Sequence, residues 1–209
     1  MHPPIDLYPQ VLRSAALAYL ESGLDAGRET LRPVAGETWS GARGPVPTFA
    51  PSAPAFSRRD GTPFFTPLQA VKILARDQFQ CRYCGGETIP MPIAVLMHSL
   101  FPAELPFHER YRSGTVHPLF WTRVPELDHL KPGRLGNSPD DPLNFVTACI
   151  VCNTKKGDHL LEEVGWTLRI PTPGWDGMVP LYQQTWEHAG RPNAAYHGKW
   201  VKAFATARA

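Results

Sequence analysis

The sequence predicts an α+β fold built around a small metal-stabilised core, and three observations support this prediction. Apolar residues recur at helical spacing within residues 5–26 and again within 66–77. Two short segments, 126–130 and 144–148, have the length and composition of a pair of strands. The only cysteines in the sequence form two C-x-x-C pairs, a pattern typical of a zinc site.

The composition limits the class of protein. With 209 residues, of which 43% are hydrophobic and 11% aromatic, the chain can bury a substantial core. Its 23 prolines and 17 glycines predict short elements and much irregular chain. The net charge of +2 does not indicate nucleic-acid binding, so any basic patch must be local. No apolar run approaches the roughly 18 residues of a membrane span, and the N-terminus lacks a secretory pattern. We therefore expect a cytoplasmic protein with no membrane partner.

The N-terminal region is predicted to contain one amphipathic helix. Leu7, Val11, Ala15 and Leu20 form an apolar stripe within residues 5–26, and Gly27 is a plausible stop. The next segment, 43–63, is rich in Gly, Pro, Ser and Ala and predicts a linker or an irregular strap.

A second helix begins at a clear N-terminal signal. Thr66 suits the N-cap, Pro67 suits the first turn, and Gln69 completes a capping box. The apolar spacing carries this helix to about Asp77, so it delivers the chain to the first cysteine pair.

The central region is interrupted by an insertion. Residues 86–125 are too many for a plain loop and are rich in proline, and they contain an apolar stretch that predicts a short helix near 92–100. After the two strands, a helix is expected to begin near residues 149–153 and to end at Gly157. Asp158 could cap a further helix. The predicted organisation is an N-terminal helix and strap (1–64), a central domain (65–165) and a C-terminal extension (166–209).

The cysteine pairs are best explained by a structural zinc ion. Two residues between the thiolates allow one turn to present both sulfurs to one ion, and the second pair completes a tetrahedron. A disulfide framework is a less favoured alternative because the chain lacks a secretory pattern. A thioredoxin-like redox pair is less favoured still, because no βαβ pattern surrounds either C-x-x-C.

The segment between the cysteine pairs carries a further chemical pattern. Asp128 and His129 place a hard oxygen ligand beside an imidazole at the end of a strand. Adjacent strand residues point to opposite faces, so both can serve one site only if the strand ends in a turn. Pro132 and Gly133 could supply that turn.

The residues that follow the second cysteine pair extend this pattern. Asn153 comes directly after Cys152, so zinc binding would fix its position near a helix start. Lys155 and Lys156 lie on the next turn, where cations can hold phosphate.

Together these residues closely resemble the motif of the HNH endonuclease family. The resemblance covers residues 81–84 and 126–158 and rests on two C-x-x-C pairs, Asp-His-x-x-Pro, a central Asn, and Cys-Asn-x-x-Lys. It implies a ββα-metal fold, in which two strands and a helix surround one catalytic ion, within helical and Pro-rich extensions. It also implies hydrolysis of phosphodiester bonds in DNA.

The resemblance implies a role for each matched residue. His129 corresponds to the general base that takes a proton from water, and Asp128 and Asn153 correspond to the ligands of a catalytic metal. Asn144 corresponds to the residue that holds the loop and orients the histidine. Lys156 corresponds to a basic residue that contacts phosphate. The family's structural zinc ligands correspond to Cys81, Cys84, Cys149 and Cys152.

The chemistry of the matched residues favours particular metals. One carboxylate and one amide leave several coordination positions for water and phosphate, which suits Mg²⁺ or Mn²⁺ as the catalytic ion. The cysteines suit Zn²⁺ with a purely structural role.

Two features depart from the family pattern and leave substrate preference open. These are the long gap between the cysteine pairs and the segment 133–141 after the histidine. The favoured function is a metal-dependent DNA endonuclease. The alternatives are a zinc-stabilised nucleic-acid-binding module without catalysis and a protein-interaction zinc ribbon. The sequence does not determine whether the chain acts as a homodimer or with a partner subunit.

Overall fold

The computed structural model describes residues 7–39, 65–132, 135 and 141–208. Two strands, β1 (Pro125–His129) and β2 (Phe145–Cys149), form an antiparallel sheet in this part of the chain. With the helices this arrangement confirms an α+β fold. The described α-helices are α1 (Leu7–Ser22), α2 (Leu24–Leu31), α3 (Pro67–Arg76), α4 (Met91–Leu100), α5 (Pro118–Thr122), α6 (Ile150–Lys156), α7 (Val179–His188) and α8 (Ala194–Arg208).

Several predicted elements are confirmed. Helix α3 begins with the predicted capping box: the Thr66 side chain accepts from the Gln69 backbone N–H, and the Gln69 side chain accepts from the Thr66 N–H. The short helix expected near 92–100 is α4. The two strands lie within one residue of their expected bounds, and α6 ends at Gly157 as expected.

The prediction of one N-terminal helix ending at Gly27 is wrong. The helix breaks at Gly23, whose φ of 87° favours glycine, and α2 then runs through Gly27. Gly27 is buried inside α2 because it packs closely against the ring of Phe101. Glycine fits here because a side chain at position 27 would collide with Phe101. Gly27 does not end a helix.

The helix predicted after Asp158 is also wrong. The segment 158–165 forms successive turns. The Glu163 carboxylate accepts a hydrogen bond from the Leu160 backbone N–H, and Gly165 adopts a φ of 68°. A local side-chain acceptor and a left-handed glycine therefore replace a helical continuation.

One large apolar core takes residues from every part of the described chain. Helix α1 packs against α2 and α7, while α3 packs against α8. Tyr8 and Leu12 of α1 are buried in the same core as Tyr182 of α7 and Phe204 of α8. All three segments expected from the sequence thus contribute to one core.

The expected insertion supplies much of that core. Ile89, Ile93, Leu96, Phe101 and Phe120 are each at most 2% exposed. This region also contains α5, which begins at Pro118 after the buried His117. The apolar side chains explain why so long a segment between the cysteine pairs folds against the rest of the chain.

A second, smaller apolar cluster lies beneath the cysteines. Cys81, Tyr83, Val146, Ala148 and Cys149 are buried together, and Trp166 packs against them. This cluster joins the first cysteine pair to β2. The candidate site contains residues from both of these segments.

Some expectations fall outside the described residues. These are the strap at 43–63, the turn residue Gly133, and most of the segment 133–141. Within the described part of the chain, no helix is both long and apolar enough to cross a membrane.

Candidate active site and metal centre

The four cysteines meet at one point although the two pairs are far apart in the sequence. The Sγ atoms of Cys81, Cys84, Cys149 and Cys152 all lie within 4.8 Å of one another. All four, which belong to the described part of the chain, are free thiols. The disulfide alternative is therefore not the arrangement found.

This cluster has the chemistry of a tetrathiolate metal site. Zn–S bonds of about 2.3 Å place the sulfurs of a tetrahedral site about 3.8 Å apart, within the observed limit. Hydrogen bonding from Cys149 is the main cause that lowers the pKa of Cys81, to about 7. Hydrogen bonding to Cys152 is the main cause that raises the pKa of Cys149. Four thiols this close compete for protons, and a bound cation is what would allow all four to be thiolates. The cluster could hold a metal ion such as zinc.

Backbone hydrogen bonds fix the first cysteine pair against the sheet. Cys81 N–H donates to the Gly86 carbonyl at 2.9 Å, and Gly85 N–H donates to the Cys81 carbonyl at 2.8 Å. Arg82 N–H donates to the Thr147 carbonyl of β2 at 2.8 Å. The turn that carries two thiols is thus tied to the strand that leads to the other two.

Asp77 reinforces this connection from the end of α3. Its carboxylate is fully buried, accepts from the Thr147 backbone N–H at 2.7 Å, and pairs with Arg76 and Arg82. Burial alone would raise the pKa of Asp77. The hydrogen bonds from Arg76 and from the Thr147 backbone nevertheless hold it below its ordinary value.

The two faces of β1 separate the candidate residues. Glu126 and Asp128 share the face toward α6, since strand residues two apart point the same way. His129 pairs with Phe145 in the register and lies on the opposite face, with the two ring centroids 4.0 Å apart. Adjacent positions in the sequence therefore do not bring the carboxylate and the imidazole to one face.

Asp128 is held from two directions. Tyr83 donates its hydroxyl to Asp128 Oδ2 at 2.5 Å, and Lys156 Nζ lies 3.1 Å from the same oxygen. Burial is the main cause that raises the pKa of Asp128, and it outweighs the opposing effects of Tyr83 and Lys156. One carboxylate oxygen is thus occupied by residues from the first cysteine pair and from α6.

Lys156 does not lie where a phosphate contact was expected. Its side chain is fully buried, and Nζ donates to the His129 carbonyl oxygen at 2.7 Å in addition to pairing with Asp128. A phosphate contact would require the ammonium to leave both partners. Lys156 therefore holds the Asp128–His129 backbone in place, and the neighbouring Lys155 is the exposed lysine of this turn.

Asn153 contacts Glu126, which is not among the residues with a predicted role. Its Nδ2 donates to Glu126 Oε2 at 2.6 Å. Burial is the main cause that raises the pKa of Glu126, and the nearby Asp128 charge raises it further. Glu126 therefore links Asn153 to the strand face that carries Asp128.

Asn144 holds the chain that leaves β1. Its side chain accepts from the Lys131 N–H at 2.8 Å and donates to the Lys131 carbonyl at 3.0 Å. Leu130 N–H donates to the Asn144 carbonyl at 2.8 Å. These contacts define the path of the chain immediately after His129.

This face of β1 carries oxygen donors. Glu126 and Asp128 offer carboxylate oxygens and Asn153 offers an amide oxygen, which are ligand types that Mg²⁺ and Mn²⁺ prefer. His129 is half-exposed at the end of the strand. The imidazole therefore lies at the same end of β1 as the Asp128 carboxylate but on the opposite face of the strand.

Three residues of this site were missed in the sequence. Glu126 lies two residues before Asp128, and strand alternation could have placed it on the same face. Tyr83 and Asp77 left no such signal, because an aromatic residue between cysteines and an acid at a helix end are ordinary features.

Comparisons with protein-family models, with curated proteins and with solved structures find no match for this chain.

Proposed function

We propose that this chain is a metal-dependent endonuclease of the HNH type that hydrolyses phosphodiester bonds in DNA. The observation that carries the proposal is the unit formed by β1, β2 and α6. In it, Asn153 and Lys156 of the helix contact Glu126 and Asp128 of the strand that ends at His129. The motif residues thus share one strand–strand–helix unit beside the cysteine cluster.

His129 would act as the general base. Its half-exposed imidazole would take a proton from a water molecule while the water oxygen attacks phosphorus. The bond between phosphorus and the O3′ leaving oxygen breaks, and that oxygen takes a proton from solvent. Lys156 fixes the His129 carbonyl and Asn144 fixes the chain beyond it, so both would position the imidazole.

Asp128, Asn153 and Glu126 are the residues that would hold a catalytic Mg²⁺ or Mn²⁺. When bound, such an ion supplies neutralisation of the charge that develops on the phosphodiester. Tyr83 and Lys156 restrict the rotation of the Asp128 carboxylate, which would preorganise it for this role. The four cysteines would bind Zn²⁺ and support the fold without taking part in the chemistry.

A zinc-stabilised nucleic-acid-binding module without catalysis is the second candidate. One observation favours it: Asp128 Oδ2 already receives a hydroxyl and an ammonium group, both internal to the chain. A carboxylate used only for such internal contacts would need no catalytic ion.

Plasmid nicking separates the two candidates. The zinc-loaded chain is incubated with supercoiled DNA, with and without added Mg²⁺ or Mn²⁺. The endonuclease proposal expects nicked product only when the divalent ion is added, and it expects Asp128→Asn to remove that product. DNA retention without nicking under every metal condition would overturn the proposal in favour of a binding module.

A further inference from the structure

We infer that a cleft beside the cysteine cluster binds one unpaired nucleotide of a DNA strand, an inference that rests on the proposed nuclease function. The cleft has a volume of about 400 Å³, and Cys152 and Lys155 of α6 are among the residues that line it. This size lies within the range of pockets that hold small ligands. The residues that carry the argument are Tyr83, Lys155, Trp166 and Arg169.

The charge of the cleft suits a phosphate group. Lys155 and Arg169 are both exposed, and no carboxylate is among the described residues that line the cleft; Cys84 and Cys152 of the cysteine cluster line it as well. A second described cleft, of about 280 Å³, differs in that Glu87 lines it together with Arg123. Exposed Lys and Arg side chains are the usual contacts for a phosphate backbone.

The aromatic wall of the cleft suits a base. The rings of Tyr83 and Trp166 have centroids 5.6 Å apart and are tilted by 47°. Trp166 is partly buried and lines the cleft, so its indole is available for stacking there. A base can stack on such a face only when it is not paired within a duplex, and base–aromatic stacking is tolerant of sequence.

The rim that carries Arg169 is held in place by the first cysteine pair. Arg169 N–H donates to the Arg82 carbonyl at 2.6 Å, and Arg82 Nε donates to the Arg169 carbonyl at 2.7 Å. The backbone of Arg169 is therefore fixed while its side chain remains exposed. When the cleft binds a phosphate, the side chain of Arg169 must be ordered but its backbone need not be.

Tyr83 connects the cleft to the proposed active site. Tyr83 is among the residues that line the cleft, and it donates its hydroxyl to Asp128. A nucleotide stacked at Trp166 would lie next to the residue that holds this carboxylate. The cleft would therefore bind the strand close to the bond that is cut.

Direct binding tests the inference without relying on cleavage. A fluorescein-labelled oligothymidylate is titrated with the full, zinc-loaded chain carrying His129→Ala, and fluorescence anisotropy is recorded at several salt concentrations. The double variant Lys155→Ala/Arg169→Ala is expected to bind at least about tenfold more weakly. The slope of log affinity against log salt is expected to fall by about 1.4, or about 0.7 for each phosphate of the single strand that these side chains neutralise. Trp166→Ala is expected to weaken binding by about five- to tenfold, the lower end of a stacking contribution.

A matched control removes the same charge elsewhere. Arg191 and Lys202 lie in the C-terminal helical region and are exposed, so Arg191→Ala/Lys202→Ala should leave affinity nearly unchanged. Equal weakening by both double variants would overturn the inference, and so would loss of zinc as the only effect of Lys155→Ala/Arg169→Ala. Since Trp166 also packs on the buried cluster, Trp166→Phe provides a variant that keeps an aromatic ring.

The outcomes distinguish this inference from the proposed function. Normal cleavage with no effect of the cleft variants on binding would overturn the inference alone. Specific binding at the cleft by a wild-type chain that never cuts DNA would overturn the nuclease proposal and leave the nucleotide site intact.

Discussion

Lys156 shows how one side chain can be mistaken for a surface contact. A lysine on the turn after a metal-ligand pair is expected to meet phosphate, yet its ammonium is buried between Asp128 and the His129 carbonyl. The burial of a charge costs free energy unless partners compensate, and both partners lie on β1. Lys156 is therefore part of the connection between α6 and the sheet.

The first prediction compares two adjacent lysines. Lys156→Met should lower the free energy of unfolding by about 3 kcal/mol, because it leaves the buried Asp128 without its cation. Lys155→Met, at the exposed neighbouring position, should change it by less than about 0.5 kcal/mol. Urea denaturation of the zinc-loaded variants measures both. Equal stability of the two variants would contradict the buried ion pair.

Asp77 gives the second prediction, which concerns acid stability. Its pKa is lowered in the folded chain from an ordinary value of 3.8. A lowered folded pKa means that the stabilisation is present above the unfolded pKa and is lost as the pH falls through the folded pKa. The stability difference between the wild type and Asp77→Asn should therefore shrink as the pH is lowered below 3.8.

Urea denaturation at a series of pH values measures this difference. Since every other carboxylate is common to both chains, the comparison isolates Asp77. A constant difference across the acid range would show that Asp77 does not carry a lowered pKa.

At the scale of single residues, the motif marks candidate positions but not the contacts between them. The positions of His129, Asp128 and Asn153 follow from the motif, but Glu126 as the partner of Asn153 does not. The pairing of Tyr83 with Asp128 joins residues 45 positions apart, and no local pattern encodes it. Such contacts depend on how the cysteine pairs bring two distant segments together.

The elements of the chain show which local signals determine structure. Helix α3 is predictable because its capping box satisfies backbone donors within four residues. The pair β1 and β2 and the helix α6 are predictable because turn and stop residues bound them. The break at Gly23 and the turns of 158–165 are not, because they depend on a single left-handed glycine or on one side-chain acceptor.

Gly27 provides the third prediction. Ala is normally better than Gly inside a helix by about 1 kcal/mol. At position 27, however, an added Cβ would lie 2.5 Å from Phe101 Cζ, and Phe101 is fully buried. Overpacking of this kind costs about 1–3 kcal/mol, so Gly27→Ala should destabilise the chain by about 1 kcal/mol.

Gly198 is the matched control in helix α8. A Cβ there would meet its nearest neighbour, Trp186, at an ordinary 4.0 Å. Gly198→Ala should therefore stabilise the chain by about 0.5–1 kcal/mol. Thermal unfolding of both variants gives the sign of each change. Stabilisation by Gly27→Ala would contradict the close packing of α2 on Phe101.

The whole molecule depends on two sources of stability. The large core unites α1, α3, α7 and α8 and includes Leu127 of β1 and Phe145 of β2, while the rest of the β1, β2 and α6 unit packs in a minor apolar cluster. A two-stranded sheet is marginal by itself in water. Metal binding at the cysteines is therefore expected to stabilise the candidate site more than the helical core.

Zinc removal is the fourth prediction. The chain should bind one zinc ion, and chelation or Cys84→Ser should lower the melting temperature because the metal contributes folding free energy. Hydrogen exchange should show that amide protection is lost first in β1, β2 and α6. Restored protection after zinc is added back is the control. Uniform loss across α1 and α8 as well would contradict a local role for the metal.

The central claim is that the β1–β2–α6 unit hydrolyses DNA with His129 as the base. The most direct measurement is the single-turnover rate at which the chain cleaves an end-labelled DNA in Mg²⁺ or Mn²⁺. The wild type is compared with His129→Ala and with a second variant, His129→Gln. The control is His159→Ala, which changes an exposed histidine. We predict loss of cleavage in both His129 variants at unchanged zinc content and melting temperature, and wild-type cleavage by His159→Ala. Wild-type rates in folded, zinc-loaded His129 variants would contradict the claim.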